Sequence, residues 1–192
     1  MTRSRANEPS QEEGRVREVV GSIEGEYRRY KKLGDDAIAQ LSDAQLSQAG
    51  GPESNSVAAI AWHISGNLAS RFTDFLTSDG EKPWRDRESE FARRTVTRDE
   101  LTRKWEAGWA VLFGALAGVD DTHLSTAVAI RGVALPVVDA LHRSLSHAAY
   151  HVGQIVFLAK ALRGGEWKWL TIPPGASADY NKNPAHEKPP GA

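Results

Sequence analysis

Two histidines, His147 and His151, stand four residues apart in a stretch whose apolar pattern predicts a long helix over residues 136–162. An α-helix has 3.6 residues per turn, so positions i and i+4 lie on one face, one above the other. Two imidazoles placed in this way can bind one divalent metal ion. A helical bundle builds such sites in its interior, and the spacing therefore points to metal binding by this helix.

A third histidine, His63, lies in the middle of another amphipathic stretch. Three neutral imidazoles suffice as the protein ligands of a catalytic type of zinc site, and they leave one position for water or substrate. The alternative is a set of histidines at the edge of the core, satisfied by neighbouring side chains. The other histidines are weaker candidates: His142 lies roughly 140° around the helix from His147, His123 lies in a loop, and His186 lies in the C-terminal tail.

Four long helices must position these residues, because apolar residues recur at every third and fourth position in four stretches. The predicted helices span residues 12–40, 55–78, 97–117 and 136–162. Gly34 is a candidate break within the first of them. Asn55 or Ser56 is the expected N-cap of the second, and Thr97 with Glu100 predicts a capping box at the start of the third.

The segments between the helices differ in kind. Residues 77–95 are charged, contain Gly and Pro, and are too polar for a core element, but they are long enough to cross from one end of a bundle to the other. Residues 124–135 contain two short β-leaning runs around Arg131-Gly132, which predicts a small β-hairpin. The expected fold is an all-α four-helix bundle over residues 12–181, between disordered tails at 1–11 and 182–192.

Polar side chains follow His63 along one edge of its helix, where Asn67 and Arg71 stand at i+4 and i+8. Residues in such a register can line a site, although a solvated edge is the alternative and is preferred for Arg71 alone. Ligand histidines need acceptors for their second ring nitrogens, and Asn67 and Gln154 are the polar groups predicted near the site. Arg71 and Tyr150 are candidates for contact with substrate. For each of these residues a structural role is the favoured alternative.

The composition excludes several classes of function. The chain has 24 Lys and Arg against 25 Asp and Glu, so nothing favours bulk binding to nucleic acid or to an acidic membrane. The absence of cysteine excludes disulfides, thiolate ligands and a cysteine nucleophile. The N-terminus is polar, without a secretory signal, and no apolar run approaches the roughly 20 residues that span a bilayer. We expect a soluble, cytoplasmic protein.

Two stretches carry a family resemblance. WHISGNLASRFTDFLTSDGEKPWRDRESEF (62–91) and RSLSHAAYHVGQIVFLAK (143–160) resemble the DinB-like superfamily of bacterial four-helix bundles. More narrowly, they resemble a branch described only as a domain of unknown function. The resemblance covers residues 14–181. It depends on the motifs H-x-x-G-N, SRFTDFLTSDGEKP and H-x-x-Y-H-x-G-Q-I taken together.

The resemblance implies an up-down-down-up bundle, a homodimer and a metal site. Carried over, the metal ligands are His63 on the second helix and His147 and His151 on the fourth. Relatives of known activity, from which this branch is distant, are transferases or isomerases that use a low-molecular-weight thiol such as bacillithiol or mycothiol. The implied partners are therefore a thiol and an electrophilic small molecule. Imidazole suits several divalent ions, of which zinc and nickel are the first candidates.

Two classes of function stay open. One is a metal-dependent enzyme, a thiol S-transferase or a hydrolase, in which the ion lowers the pKa of a thiol or water that then attacks an electrophile. The other is a metal-binding or stress-associated bundle without turnover. A structural site should be closed by a fourth protein ligand, and the nearest carboxylate on the last helix, Asp139, is two turns from His147. The open site is favoured, and DNA repair is not, since no basic stripe or carboxylate cluster occurs.

Overall fold

The structure, a computed structural model, describes residues 16–187. The predicted tail 1–11 and the last five residues of the predicted tail 182–192 lie outside this range. The described chain is mostly helical with one small antiparallel hairpin, as predicted. The long helices are α1 (Glu18–Ala39), α3 (Val57–Phe72), α5 (Arg98–Ala117) and α6 (Val137–Arg163). The short helices are α2 (Asp43–Ser47), α4 (Arg87–Glu90) and α7 (Ser177–Tyr180), and the strands are β1 (Ala127–Ile130) and β2 (Val133–Pro136).

The four long helices pack around one apolar core. Helix α3 contacts α5 and α6, and α1 contacts α6 and α5. Two tryptophans of α5, Trp105 and Trp109, are among the largest fully buried side chains, and Tyr27 of α1 packs edge-on against Trp109. Burial of such side chains is the main source of stability in a fold of this kind. Among residues 16–187, no helix has the length and apolar character that a membrane crossing requires.

The helix ends follow local signals in most cases. The Ser56 hydroxyl accepts a hydrogen bond from the backbone N–H of Ala59 at the start of α3. Thr97 and Glu100 form the predicted capping box of α5. The predicted end of the second helix at residue 78 is wrong, because α3 stops at Phe72. The backbone turns away at Asp74, which has a φ of 50° and is one of the residue types that tolerate the left-handed region.

The candidate break at Gly34 is also wrong, because α1 continues through it. Gly34 is buried, and a Cβ atom there would lie 2.7 Å from the Trp105 ring. The glycine therefore allows a bulky side chain of α5 to approach the backbone of α1. Gly34 is therefore a site of close helix packing and does not mark the end of a helix.

The hairpin before α6 has the predicted turn. Both turn residues have positive φ, 55° for Arg131 and 74° for Gly132. A two-residue turn needs this conformation because its twist then matches the right-handed twist of the two strands that it joins. The carboxylate of Asp79 accepts the backbone N–H groups of Arg131 at 2.8 Å and of Gly132 at 2.7 Å. These hydrogen bonds join the hairpin to the segment that follows α3.

As its polarity predicts, the segment 77–95 contributes no residue to the apolar core, but it does bury charged side chains. Lys82 and Glu90 are buried, and only 2% of the Arg85 side chain is exposed. Burial is possible because each charge has partners: Lys82 donates to Ser78 and to the Asp79 carbonyl, and Arg85 donates to Glu90. The segment therefore brings α4 and a buried carboxylate against α3.

Candidate metal centre

The fold brings the three predicted ligands together. His63 comes from α3, and His147 and His151 come from α6; one ring nitrogen of each lies within 4.8 Å of the others. The Nε2 atoms of His63 and His147 are 3.1 Å apart. Two imidazole nitrogens bound to one tetrahedral zinc ion stand about 3.3 Å apart, so these side chains fit a shared ion with little movement.

Hydrogen bonds at Nδ1 orient two of the three imidazoles. The Nδ1–H group of His63 donates to the Glu90 carboxylate at 2.8 Å, and that of His151 donates to the side-chain oxygen of Gln154 at 2.7 Å. These partners assign the tautomer in which Nε2 carries the lone pair that a metal ion needs. Gln154 therefore lies at the site as predicted, whereas Glu90 was not predicted.

Glu90 is held as a carboxylate by two neighbours. Arg85 donates to both of its oxygens, at 2.8 and 2.9 Å, and His63 donates at 2.8 Å. Burial alone would raise the pKa of Glu90, but the hydrogen bonds from His63 and Arg85 lower it below its ordinary value. The result is a buried chain of charge-assisted hydrogen bonds from Arg85 through Glu90 to the candidate ligand His63.

The two histidines of α6 favour their neutral form. Burial lowers the pKa of His147 to about 3, and the positive charges of Arg85 and Arg71 act in the same direction. Burial also lowers the pKa of His151. Neutral imidazole is the form that binds a metal ion, so the site does not have to release protons from these two rings at neutral pH.

Metal-free protein should therefore lose stability on acidification through protonation of His147. The unfolded chain takes up a proton near pH 6.5, whereas the folded state resists it until pH is about 3, so the unfolded state binds more protons between these values. We expect the free energy of unfolding to fall across that window as pH decreases. Urea unfolding of chelator-treated protein should show a steeper fall for wild type than for His147→Gln. Parallel pH profiles would contradict the assignment.

A cavity of about 530 Å³ adjoins the three histidines. Besides these rings, it is lined by Asn67, Phe91, Ala140 and Ser144, by the hairpin residues Ile130, Val133 and Leu135, and by five arginines, Arg71, Arg85, Arg87, Arg131 and Arg143. The cavity is large enough for a small molecule next to the ring nitrogens. Three of its four hairpin residues, Ile130, Val133 and Leu135, are apolar, and the wall contains no carboxylate.

The remaining predicted site residues are placed as follows. Asn67 is buried and lines the cavity. Arg71 also lines it, and the preference for a solvated edge is wrong, because its side chain is only 14% exposed and pairs with Glu81 at 3.1 Å. Tyr150 is 63% exposed, does not line the cavity, and has its ring 4.9 Å from that of His151. Contact of Tyr150 with substrate stays a prediction.

The weaker histidine candidates do not join the cluster. His142 is exposed on α6, and His123 bonds to Asp120 at 2.8 Å in the 3-10 turn Asp121–His123. Asp139 is exposed near the start of α6. Among the side chains that the structure describes, which exclude His186, the group of candidate ligands contains three histidines and no fourth member.

Fold and site together define a mostly helical protein in which three histidines, able to hold a metal ion, adjoin a cavity. The family model described as "Protein of unknown function (DUF1572)" matches residues 15–176, and the chain belongs to this family. Among solved structures, the chain is similar to the "conserved protein of locus from Enterococcus faecalis", with a TM-score of 0.58 and 18% identity over 78% of this chain and 99% of that one. This likeness concerns the fold alone. No curated protein matches the chain.

Proposed function

We propose that this protein is a divalent-metal-dependent enzyme of the DinB-like superfamily, a thiol S-transferase that joins a low-molecular-weight thiol to an electrophilic small molecule. The carrying observation is that three histidines with ligand atoms within 4.8 Å of one another line a cavity of about 530 Å³. The motifs around His63 and His147 support the DinB-like assignment. With it, the proposal includes an up-down-down-up bundle, a homodimer and a cytoplasmic location.

An enzyme is favoured over a structural metal site by the surroundings of the cluster. A structural site is closed by four protein ligands, whereas this group has three among the described side chains, next to open space. Three neutral imidazoles suit zinc or nickel. When bound, such an ion supplies a lowered pKa for a thiol or a water beside it.

The side chains of the site have separate roles in this proposal. Glu90 and Gln154 hold the rings of His63 and His151 with Nε2 available. Phe91 and the hairpin residues Ile130, Val133 and Leu135 give an apolar surface against which the body of an electrophile can lie. In the transfer, the thiol sulfur forms a bond to the electrophilic carbon, the leaving group departs with its electron pair, and the thiol proton is released to solvent.

Metal content tests the proposal first. We expect near one zinc or nickel ion per chain in protein purified without an affinity tag, measured by plasma mass spectrometry. His63→Ala, His147→Ala and His151→Ala should lose the metal while the helical circular dichroism spectrum survives. His142→Ala is the matched control, since His142 is on the same helix but exposed and outside the cluster. It should retain the metal.

Two results would overturn parts of the proposal. Wild-type protein that binds no ion after incubation with zinc or nickel would make the three histidines ordinary residues at the edge of the core. A metal-loaded protein without turnover for any pair of thiol and electrophile, and without hydrolysis of the electrophile, would be a non-catalytic metal-binding bundle. Hydrolysis in the absence of thiol would instead make water the activated group and the protein a hydrolase.

A further inference from the structure

The wall of the cavity beside the histidines is rich in arginine. Five arginines line it and no Asp or Glu does, although the chain as a whole has a formal net charge of −1. The arginines come from α3, from the segment between α3 and α5, from the hairpin turn and from α6. Separate parts of the chain therefore converge to place positive charge around one space. Such a space attracts anions.

Carboxylates next to the cavity neutralise part of this charge. Arg85 is paired with Glu90. Arg71 and Arg131 share Glu81, at 3.1 and 3.0 Å. Three arginines thus form ion pairs with two carboxylates, and these ion pairs fix the positions of the arginine side chains around the cavity. The carboxylate of Asp79, which accepts the backbone N–H groups of Arg131 and Gly132, lies beside the same arginines. These pairs make a preorganised wall whose charges are largely compensated.

A fourth arginine, Arg87, has a weaker partner. Its guanidinium is 3.0 Å from the Glu88 carboxylate, but both side chains are exposed, and an exposed pair of this kind contributes little and is screened by salt. Its guanidinium carbon also lies 5.1 Å from the centre of the Phe91 ring, which lines the cavity. Arg87 can therefore exchange Glu88 for an anionic ligand at small cost.

Arg143 differs from the other four. It is exposed, lines the cavity, and has neither an ion pair nor a side-chain hydrogen bond with any described residue. It precedes His147 by four residues on α6, so the two side chains lie on one face of the helix, about 6 Å apart along its axis. A guanidinium is thus available for a ligand one helical turn from the candidate metal ligands.

We propose that the cavity binds a substrate through an anionic group, a carboxylate or a phosphate, held by Arg143 while the reacting atom of the substrate lies at His63, His147 and His151. The proposal deepens and rests on the proposed function, since it assigns the class of substrate to the same cavity. A guanidinium offers two parallel N–H donors that match either oxyanion. The spacing requires several bonds between the anionic group and the reacting atom.

Anion binding to metal-free protein tests this assignment apart from catalysis. We would titrate chelator-treated wild type with propionate, with inorganic phosphate and with propionamide, the neutral counterpart of propionate, by calorimetry at fixed ionic strength. At least one anion should bind and propionamide should not. Arg143→Gln should weaken that binding about tenfold or more, because a charge-assisted hydrogen bond is lost. The matched control is Arg103→Gln, which changes an exposed arginine of α5 outside the cavity.

The outcomes separate the subsite from the metal centre. Binding of propionate alone would assign a carboxylate substrate, and binding of phosphate alone a phosphate. The subsite is overturned if neither anion binds, or if Arg103→Gln weakens binding as much as Arg143→Gln. Zinc titration of the same samples should give equal stoichiometry in wild type and Arg143→Gln. If zinc binds normally but neither anion binds, only the anion subsite is rejected. If an anion binds through Arg143 but zinc does not bind, only the metal-dependent function is rejected.

Discussion

Glu90→Gln should lower the free energy of unfolding of the metal-free protein by about 3 kcal/mol or more, the usual result of removing one partner of a buried ion pair. The side chains of Glu90 and Arg85 are only 7% and 2% exposed. Without the carboxylate, the guanidinium of Arg85 stays buried, and its next carboxylate, that of Glu81, is 4.0 Å away. Urea unfolding followed by circular dichroism measures the change.

Two further variants distinguish this mechanism from a general effect of the substitution. Glu88→Gln changes a neighbouring carboxylate of α4 that is 87% exposed, and it should alter the free energy of unfolding by about 0.5 kcal/mol or less. Adding Arg85→Met to Glu90→Gln removes the uncompensated charge as well, so the double variant should be more stable than Glu90→Gln alone. A loss of less than about 1 kcal/mol in Glu90→Gln would contradict a buried ion pair at this position.

The same substitution connects stability to the site. Glu90 accepts the Nδ1–H group of His63 and so fixes the ring with Nε2 towards His147. A glutamine at this position can still accept a hydrogen bond, but it does not provide the negative charge that makes the ring a better donor to a metal ion. Loss of such a carboxylate partner typically weakens metal binding by about 10-fold to 100-fold. A competition titration with a zinc chelator should show this loss in Glu90→Gln and normal affinity in Glu88→Gln.

Helical periodicity predicts the pairing of His147 with His151, whereas the complete set of three ligands is what the DinB-like resemblance implies. His147 and His151 share a face whenever their stretch is helical, and His63 lies within the apolar pattern of another helix. The hairpin could also be predicted, since Arg131-Gly132 forms a two-residue turn with positive φ between two β-leaning runs. For the histidine pair of α6 and for the hairpin, the signal lies within a few residues of the feature that it predicts.

The surroundings of the histidines could not be predicted in this way. Glu90 is 27 residues from His63 in the sequence. The charged residues around Glu90 predict a solvent-exposed segment, because charges are rarely buried without partners. Those partners become visible only when α4 lies against α3. The arginine-rich wall of the cavity is a similar case, because its arginines are distributed over separate segments of the chain and no local pattern joins them.

Gly108 of α5 lies directly against the backbone of α3, the helix that carries His63, and Gly108→Ala should lower the free energy of unfolding by about 2 kcal/mol. A Cβ atom at Gly108 would lie 2.5 Å from the Cα atom of Ser65 and 2.9 Å from its carbonyl oxygen. These are backbone atoms of the neighbouring helix, so no side-chain rotation can relieve the overlap. Overpacking costs about 3 kcal/mol at its upper range, and the better helix propensity of alanine returns about 1 kcal/mol.

Gly114→Ala makes the same chemical change on the same helix without the overlap. Nothing lies within 4 Å of a Cβ atom at Gly114, so propensity alone acts and the variant should gain about 0.5 to 1 kcal/mol. We therefore expect the free energy of unfolding to fall in Gly108→Ala and to rise in Gly114→Ala. A Gly108→Ala variant that is more stable than wild type would contradict the close contact of α5 with α3. Because Ser65 is two residues from His63, displacement of α3 should also weaken zinc binding in Gly108→Ala and leave it unchanged in Gly114→Ala. A helix that contributes no candidate ligand would then be shown to set the geometry of the metal centre.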